Sequence, residues 1–399
     1  MVDATLREAM ERGRAALTTP SARSNVPAFM VMDVMAAAAR IEAGGGHVIH
    51  MEVGQPAAPA PRSAIAAAHT ALEQIRIDYT SALGMTSLRE RIARHYRDAY
   101  GCVVDPGRIV ATTGSSAAFI LAFLAMFEPG DRVAVTVPGY PPYRHILTAL
   151  GCEPVLIETT SETRHALTGE ALLAVHRKTP LKGVLVASPA NPTGTMMSKE
   201  ALASVIDAAH DAGIRFISDE IYHGLDYAFP AVTAAALSPD AVVINSFSKY
   251  FCMTGWRIGW MVVPDALVRP IERLQQNLAI SVPTLSQVAA EAAFDGAAEM
   301  ETIKHGYQEN RRILIEGLPK AGLTKFLPAD GAFYLYTDVS DFTSDSFAFA
   351  KRMLEETHVA ATPGVDFDPI HGRHFIRFSY ARSAEDMREA VERIARWLA

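Results

Sequence analysis

The sequence predicts an α/β protein: a large domain with a mostly parallel seven-stranded sheet between helices, plus a smaller α+β domain built from both chain ends. Three observations predict it. Between residues 108 and 263, seven short β-branched runs alternate with helix-length stretches. The runs are continuously apolar instead of alternating, as expected of strands buried on both faces of a parallel sheet. After Pro264 the rhythm changes to long helical stretches and a second, smaller group of strands. The implied division is 1–50 for an N-terminal arm and the first part of the small domain, 51–285 for the large domain, and 286–399 for the C-terminal part of the small domain.

In chain order, residues 28–44 read as a helix stopped by Gly44, Gly45 and Gly46. The strand runs are RIVATT (108–113), RVAVTV (132–137), EPVLIE (153–158), KGVLVA (182–187), GIRFIS (213–218), AVVINS (241–246) and IGWMVV (258–263). The last two lie too close for a helical crossover, so one edge pair should be antiparallel. Residues 266–278 and 284–317 read as long helices interrupted by SVPT at 281–284. Strands at AFYLYT (332–337) and HFIRFS (374–379) follow. The final helix starts at the N-cap Ser383 and carries Met387, Val391, Ile394 and Leu398 on one face.

Composition excludes several classes. With 399 residues, 49% of them apolar, there is material for a large core, and disorder is ruled out as the dominant state. Lys and Arg number 37 against 44 Asp and Glu, a net charge of −7 with no basic block, so no nucleic-acid partner is expected. Cys102, Cys152 and Cys252 are scattered without a CxxC, which fits neither a disulfide framework nor a zinc site and suggests a reducing compartment. No metal is expected. The longest apolar run, 117–127, is well short of the roughly 20 residues of a membrane helix, so no membrane partner is expected either. The opening MVDATLREAMERGRAAL carries acids and lacks a secretory signal's apolar stretch, giving a cytoplasmic expectation.

In an open parallel sheet, ligands bind outside the carboxyl ends of the strands, and four ends here carry unusual polar residues. The run 108–113 leads into Gly114, Ser115 and Ser116; 182–187 leads into SPANPTG with Asn191; 213–218 leads to Asp219 with Tyr222 just beyond; and 241–246 leads into Ser246, Ser248 and Lys249, with Arg257 further on. Each has an ordinary structural reading: an N-cap, a turn, a loop-capping Asp, a packed Tyr, a solvated Lys. Their placement at successive strand ends gives them a common purpose. A helix N-terminus with Ser115, Ser116, Ser246, Ser248 and Arg257 suits a phosphate. Asp219 suits a protonated ring nitrogen, and Lys249 suits an aldehyde and later a proton. Pyridoxal phosphate carries all three groups.

The segment SFSKYFCMTGWRIG (246–259) resembles the lysine signature of the aspartate aminotransferase family, class I/II aminotransferases of PLP fold type I, and the resemblance covers nearly the whole chain. Cys252 departs from the small or aliphatic residue usual there. The resemblance implies Lys249 as the Schiff-base lysine, Asp219 as partner of the pyridine nitrogen, and Tyr222 and Asn191 as partners of the cofactor's phenolic oxygen. Tyr140, in VPGYPPY, matches the aromatic that stacks on the ring, and Ser115, Ser116, Ser246, Ser248 and Arg257 match phosphate ligands. Tyr79, in DYTSALGMTSLRE, matches a tyrosine that reaches the neighbouring subunit's phosphate, which implies a homodimer with shared active sites. Arg377, in HFIRFSYA, matches the clamp for the substrate α-carboxylate, assisted by Gly54 in MEVGQP. The motif PADGAFYLY (328–336) matches a structural strand.

The implied reaction is ping-pong transfer of an amino group between an L-amino acid and a 2-oxo acid. Side-chain preference stays open among neutral, aromatic and acidic. Ser116 stands where one aspartate-specific branch has a Lys, and Val26, Pro27, Ala28, Phe29, Tyr140 and Phe333 would suit a neutral or aromatic side chain if they line the pocket. The same fold also hosts carbon–sulfur lyases and PLP-sensing regulators, and these remain alternatives.

Overall fold

The computed structural model describes residues 17–399; the first part of the predicted arm, 1–16, lies outside the described residues. The strands are β1 Ile49–His50, β2 Ile109–Thr112, β3 Arg132–Val137, β4 Glu153–Glu158, β5 Gly183–Ala187, β6 Arg215–Asp219, β7 Val242–Ser246, β8 Gly259–Val262, β9 Lys325–Phe326, β10 Tyr334–Asp338, β11 Val359–Ala360, β12 Thr362–Pro363 and β13 Phe375–Ser379. All seven predicted runs form one sheet in the order β2-β8-β7-β6-β5-β3-β4.

The last two runs pair antiparallel as expected, one strand in from the edge. Strands β7 and β8 are antiparallel, but β8 is not at an edge: it is inserted between β7 and β2 and runs against both. The remaining neighbours β3–β4, β3–β5, β5–β6 and β6–β7 are parallel. Side chains alternate between two layers as the pleat requires. Val135, Leu185, Ile217, Ile244 and Met261 face Phe119 and Phe123 of the helix Gly114–Met126, whereas Ala134, Val184, Phe216, Val243 and Val262 face Leu202, Val205 and Ile206 of the helix Lys199–Asp211. The edge strand β4 is the least buried of the seven, whereas β2 at the other edge is buried throughout.

The stretch 284–317 is two helices, Thr284–Ala293 and Ala297–Gly317, joined by a tighter turn at Phe294–Gly296. The turn fits where a side chain would not: a Cβ on Gly296 would lie 2.5 Å from Pro61 Cβ. Ala289, Ala290 and Ala293 pack in the core of the seven-stranded sheet, so that core continues past residue 285 to this turn.

The smaller core gathers Ile49 and Met51 from one chain end with Leu335, Ile376, Phe378, Met387 and Ile394 from the other. Its sheet has the order β12-β13-β10-β9, and β1 pairs in parallel with β11. The strand expected from 332 begins at Tyr334, because Ala332 has φ +56° and donates its N–H to the Leu225 carbonyl at 2.7 Å instead of extending the ladder. The final helix, Ala384–Leu398, starts as predicted: Ser383 accepts from Asp386 N–H at 3.0 Å, and Asp386 returns the bond to Ser383 N–H. Tyr222 and Leu225, just beyond β6, pack into this smaller core, which sets the carboxyl ends of the large sheet against it.

Candidate active site

Strand β6 ends in Asp219, a carboxylate 2% exposed. Its Oδ2 accepts from the Tyr143 hydroxyl and its Oδ1 from Ile221 N–H at 3.1 Å. Burial pushes this carboxyl up to about 6, opposed by those two donors and by the charge of Lys249. Lys249 lies on the turn after β7. Its Nζ donates to the Gly54 carbonyl at 2.6 Å and stands 5.8 Å from the Tyr222 ring centre. Burial, then the nearby guanidiniums of Arg377 and Arg257, bring its ammonium down to about 8, with Asp219 pulling the other way.

Strand β2 leads into the N-terminus of the helix Gly114–Met126, where Gly114 has φ +73°. A Cβ there would lie 2.5 Å from Arg257 Nη2, so only glycine lets the helix end meet the guanidinium. Ser115 is half-buried and Ser116 exposed on the first turn. After β7, Ser246 Oγ donates to Ser248 Oγ at 2.9 Å and accepts from Ser248 N–H at 3.1 Å. Arg257 is exposed and donates to the Thr254 carbonyl at 3.0 Å. Helix N–H groups, two hydroxyls and a guanidinium make a donor set suited to a phosphate dianion.

Arg377 comes from the small sheet, on β13, and is 2% exposed. Its Nη1 donates to Asn191 Oδ1 at 2.9 Å, and its Nη2 to the Glu52 carbonyl and to Thr362 Oγ1 at 3.2 Å. The guanidinium carbon lies 4.4 Å from the Tyr334 ring centre and 4.6 Å from that of Phe367. Arg377 Nε is buried without a partner. The Tyr222 and Tyr334 hydroxyls are 2.7 Å apart. A Cβ on Gly54 would lie 1.7 Å from the Tyr334 oxygen, so the segment carrying Gly54 approaches that hydroxyl as only glycine can. Half-buried Tyr140 meets Phe29 edge-on at 5.8 Å and Tyr143 at 5.2 Å.

Contacts thus link Lys249 to Gly54, Asn191 to Arg377, and Arg257 to the turn carrying Ser115, with Asp219 and Tyr222 beside Lys249. Tyr79 stands apart from them, 79% exposed. Phe333 does not line a pocket: it is fully buried against Tyr222, Tyr307 and Tyr334. Sequence reasoning missed Tyr143, Thr362, Tyr334 and Phe367. Tyr143 carried a usable signal, one turn beyond Tyr140 in VPGYPPY. Tyr334 was visible only as part of a structural motif, and nothing marked Phe367.

Residues 46–394 match the family model described as aminotransferase class I and II. The chain is 48% identical to a valine–pyruvate aminotransferase of Mycobacterium tuberculosis, covering 94% of this chain and 97% of the relative. Among solved structures, an aminotransferase from Mycobacterium tuberculosis superposes with a TM-score of 0.93 at 47% identity, covering 95% of this chain and 99% of the other. A putative aminotransferase from Silicibacter pomeroyi superposes with a TM-score of 0.90 at 51% identity, with the same coverage of 95% and 99%. With fold, strand-end residues and comparisons in agreement, the chain belongs to the class I and II aminotransferases, pyridoxal-phosphate-dependent enzymes that exchange an amino group between an amino acid and a 2-oxo acid.

Proposed function

We propose that this enzyme takes the amino group from a small, neutral L-amino acid and passes it to a 2-oxo acid in two half-reactions, each using the same residues. The observation that carries the reading is the convergence of an amine (Lys249), a buried carboxylate (Asp219) and a buried guanidinium (Arg377) from different strands on one space. Pyridoxal phosphate fits this set. The cup at Gly114, which a Cβ would fill, matches a phosphate, the Asp219 carboxylate matches a ring nitrogen, and Lys249 matches the carbonyl. When bound, the cofactor supplies a ring that withdraws electrons from the substrate Cα.

In this reading Ser115, Ser116, Ser246, Ser248 and Arg257 hold the phosphate, and Tyr140 covers the ring. Asp219 keeps the ring nitrogen protonated, itself oriented by Tyr143 and Ile221 N–H. Tyr222 and Asn191 hold the phenolic oxygen. Arg377, with Gly54 alongside, binds the substrate α-carboxylate and so fixes Cα near Lys249. An amine depressed to about 8 is partly neutral near pH 7, so Lys249 Nζ can accept the Cα proton and return it. Exposed Tyr79 fits a contribution to the neighbouring subunit's phosphate cup, which makes the working unit a homodimer. The three unpaired cysteines accord with a cytoplasmic location, and among the described residues no helix is long and apolar enough to cross a membrane. We divide the chain into a large cofactor domain ending near the turn at Phe294–Gly296 and a small domain made of the remainder and the N-terminal segment.

Substrate preference follows from what faces the arm side of the site. Phe29 and Tyr140 are uncharged and meet edge-on at 5.8 Å, a lining that suits an uncharged side chain better than a distal carboxylate. Ser116 stands where a Lys serves that purpose in one aspartate-specific branch. The valine–pyruvate name of the 48% identical relative points the same way. The test is a half-reaction screen, following the bound-cofactor spectrum as single amino acids are added. Valine and alanine should exceed aspartate in kcat/KM by roughly tenfold or more; a preference for aspartate overturns the substrate assignment.

A further inference from the structure

We propose that Tyr334 is a positioning residue of the reaction, which ties the carboxylate clamp to the tyrosine that faces the cofactor. The inference rests on the reading above, in which Tyr222 serves the cofactor and Arg377 the substrate. Residues two apart on a strand share a face, so Tyr334 and Tyr336 lie together on one face of β10 and Leu335 on the other. The register pairs Tyr334 with Ser379 and Tyr336 with Arg377, so Tyr334 shares the face that carries the guanidinium.

One side chain, 1% exposed, therefore reaches three parts of the site. Its ring lies 4.4 Å from the Arg377 guanidinium carbon, which also stands 4.6 Å from the Phe367 ring centre. Its hydroxyl is 2.7 Å from that of Tyr222. The same oxygen sits where a Cβ of Gly54 would be, and the Gly54 carbonyl holds Lys249. Tyr227, half-buried against the same core, donates its hydroxyl to the Ala332 carbonyl. Tyr334 instead bonds another phenol, and a pair of phenols has one proton to spare. With Tyr334 as donor, the Tyr222 proton is free for the cofactor's phenolic oxygen, and the donation makes Tyr222 the stronger donor. Burial holds both hydroxyls protonated. The groups facing the pair are the Arg377 guanidinium, the Lys249 amine and the Tyr140, Tyr143 and Tyr380 hydroxyls.

Three holoenzyme variants test it, with melting temperature and circular dichroism recorded for each. Tyr334→Phe keeps the ring. It should raise the pH midpoint of the lysine-bound cofactor absorbance by roughly half to one unit and lower kcat about three- to tenfold. KM for the amino acid should stay within about twofold, because the ring under Arg377 remains. Tyr334→Leu removes the ring as well and should add a rise in KM of roughly three- to thirtyfold. Tyr227→Phe loses a hydroxyl from the same core and should leave the midpoint unchanged. An unmoved midpoint in Tyr334→Phe, or an equal shift in Tyr227→Phe, overturns the role of Tyr334 alone. An absorbance band that survives Lys249→Ala overturns the site reading and this inference with it.

Discussion

Arg377→Lys keeps a positive charge at the clamp and removes its geometry. The guanidinium presents a planar fork that holds a carboxylate through two parallel charge-assisted bonds; an ammonium offers a point charge. Losing one such bond costs about 1.5–3 kcal/mol. The contacts of the planar guanidinium with the Tyr334 ring at 4.4 Å and the Phe367 ring at 4.6 Å are also weakened, a further contribution of about 0.5–2 kcal/mol for a desolvated cation–π contact. The sum, about 2–5 kcal/mol, corresponds to a fall in kcat/KM of roughly 30- to 5,000-fold. The assay is the half-reaction with valine, compared with isobutylamine, which is valine without its carboxylate. Wild type should prefer valine strongly, and the variant should lose most of that preference while its rate with isobutylamine changes little. A variant whose kcat/KM for valine stays within threefold of wild type, with the preference intact, would refute the assignment of Arg377 to the carboxylate.

Three further outcomes are expected. Glu220 is 1% exposed, with Oε1 accepting from Ser218 and Ala234 and Oε2 without a hydrogen bond, 3.5 Å from His223 Nδ1; burial pushes its carboxyl up from 4.5 to about 7. The native state therefore binds this proton more tightly than the unfolded chain, a contribution present below about pH 4.5 and lost as pH rises through 7, so Glu220→Gln should stabilise at pH 8 by up to about 3 kcal/mol and do little at pH 4, read by thermal unfolding at both. Gly54→Ala puts a Cβ 1.7 Å from the Tyr334 oxygen, and the forced displacement should lower kcat/KM by roughly 100-fold or more in steady-state assays. Arg257→Ala removes an exposed side chain with one bond, to the Thr254 carbonyl, and should change folding stability by no more than about 0.5 kcal/mol while weakening cofactor binding roughly 10- to 100-fold by absorbance titration.

What was legible in the sequence is what a single strand end can display. The seven runs were visible because strands buried on both faces must be apolar throughout, and Asp219, Asn191 and Lys249 were conspicuous because each follows such a run. The insertion of β8 beside β2 was not visible, since strand order depends on contacts between runs far apart in sequence. The two-residue strands β1, β9, β11 and β12 escaped for a related reason: a pair of residues has no periodicity, and each pairs only because its partner is already placed. The same limit hid Phe367 and Thr362. Neither has a local signature, and both matter only because the small sheet brings them against Arg377.

Net charge shows most clearly how far composition falls short of the site. The chain carries −7, yet Lys249, Arg257 and Arg377 converge on the space beside buried Asp219. The charges act locally: burial depresses the Lys249 amine most, both guanidiniums add to that, and Asp219 restores only part of it. A phosphate paired with Arg257, or a carboxylate paired with Arg377, cancels one source of that depression. Each anion that binds therefore moves Lys249 back toward its ordinary basicity. Under the proposed roles, the amine would become the stronger base once the substrate carboxylate is in place, when the Cα proton is to be taken.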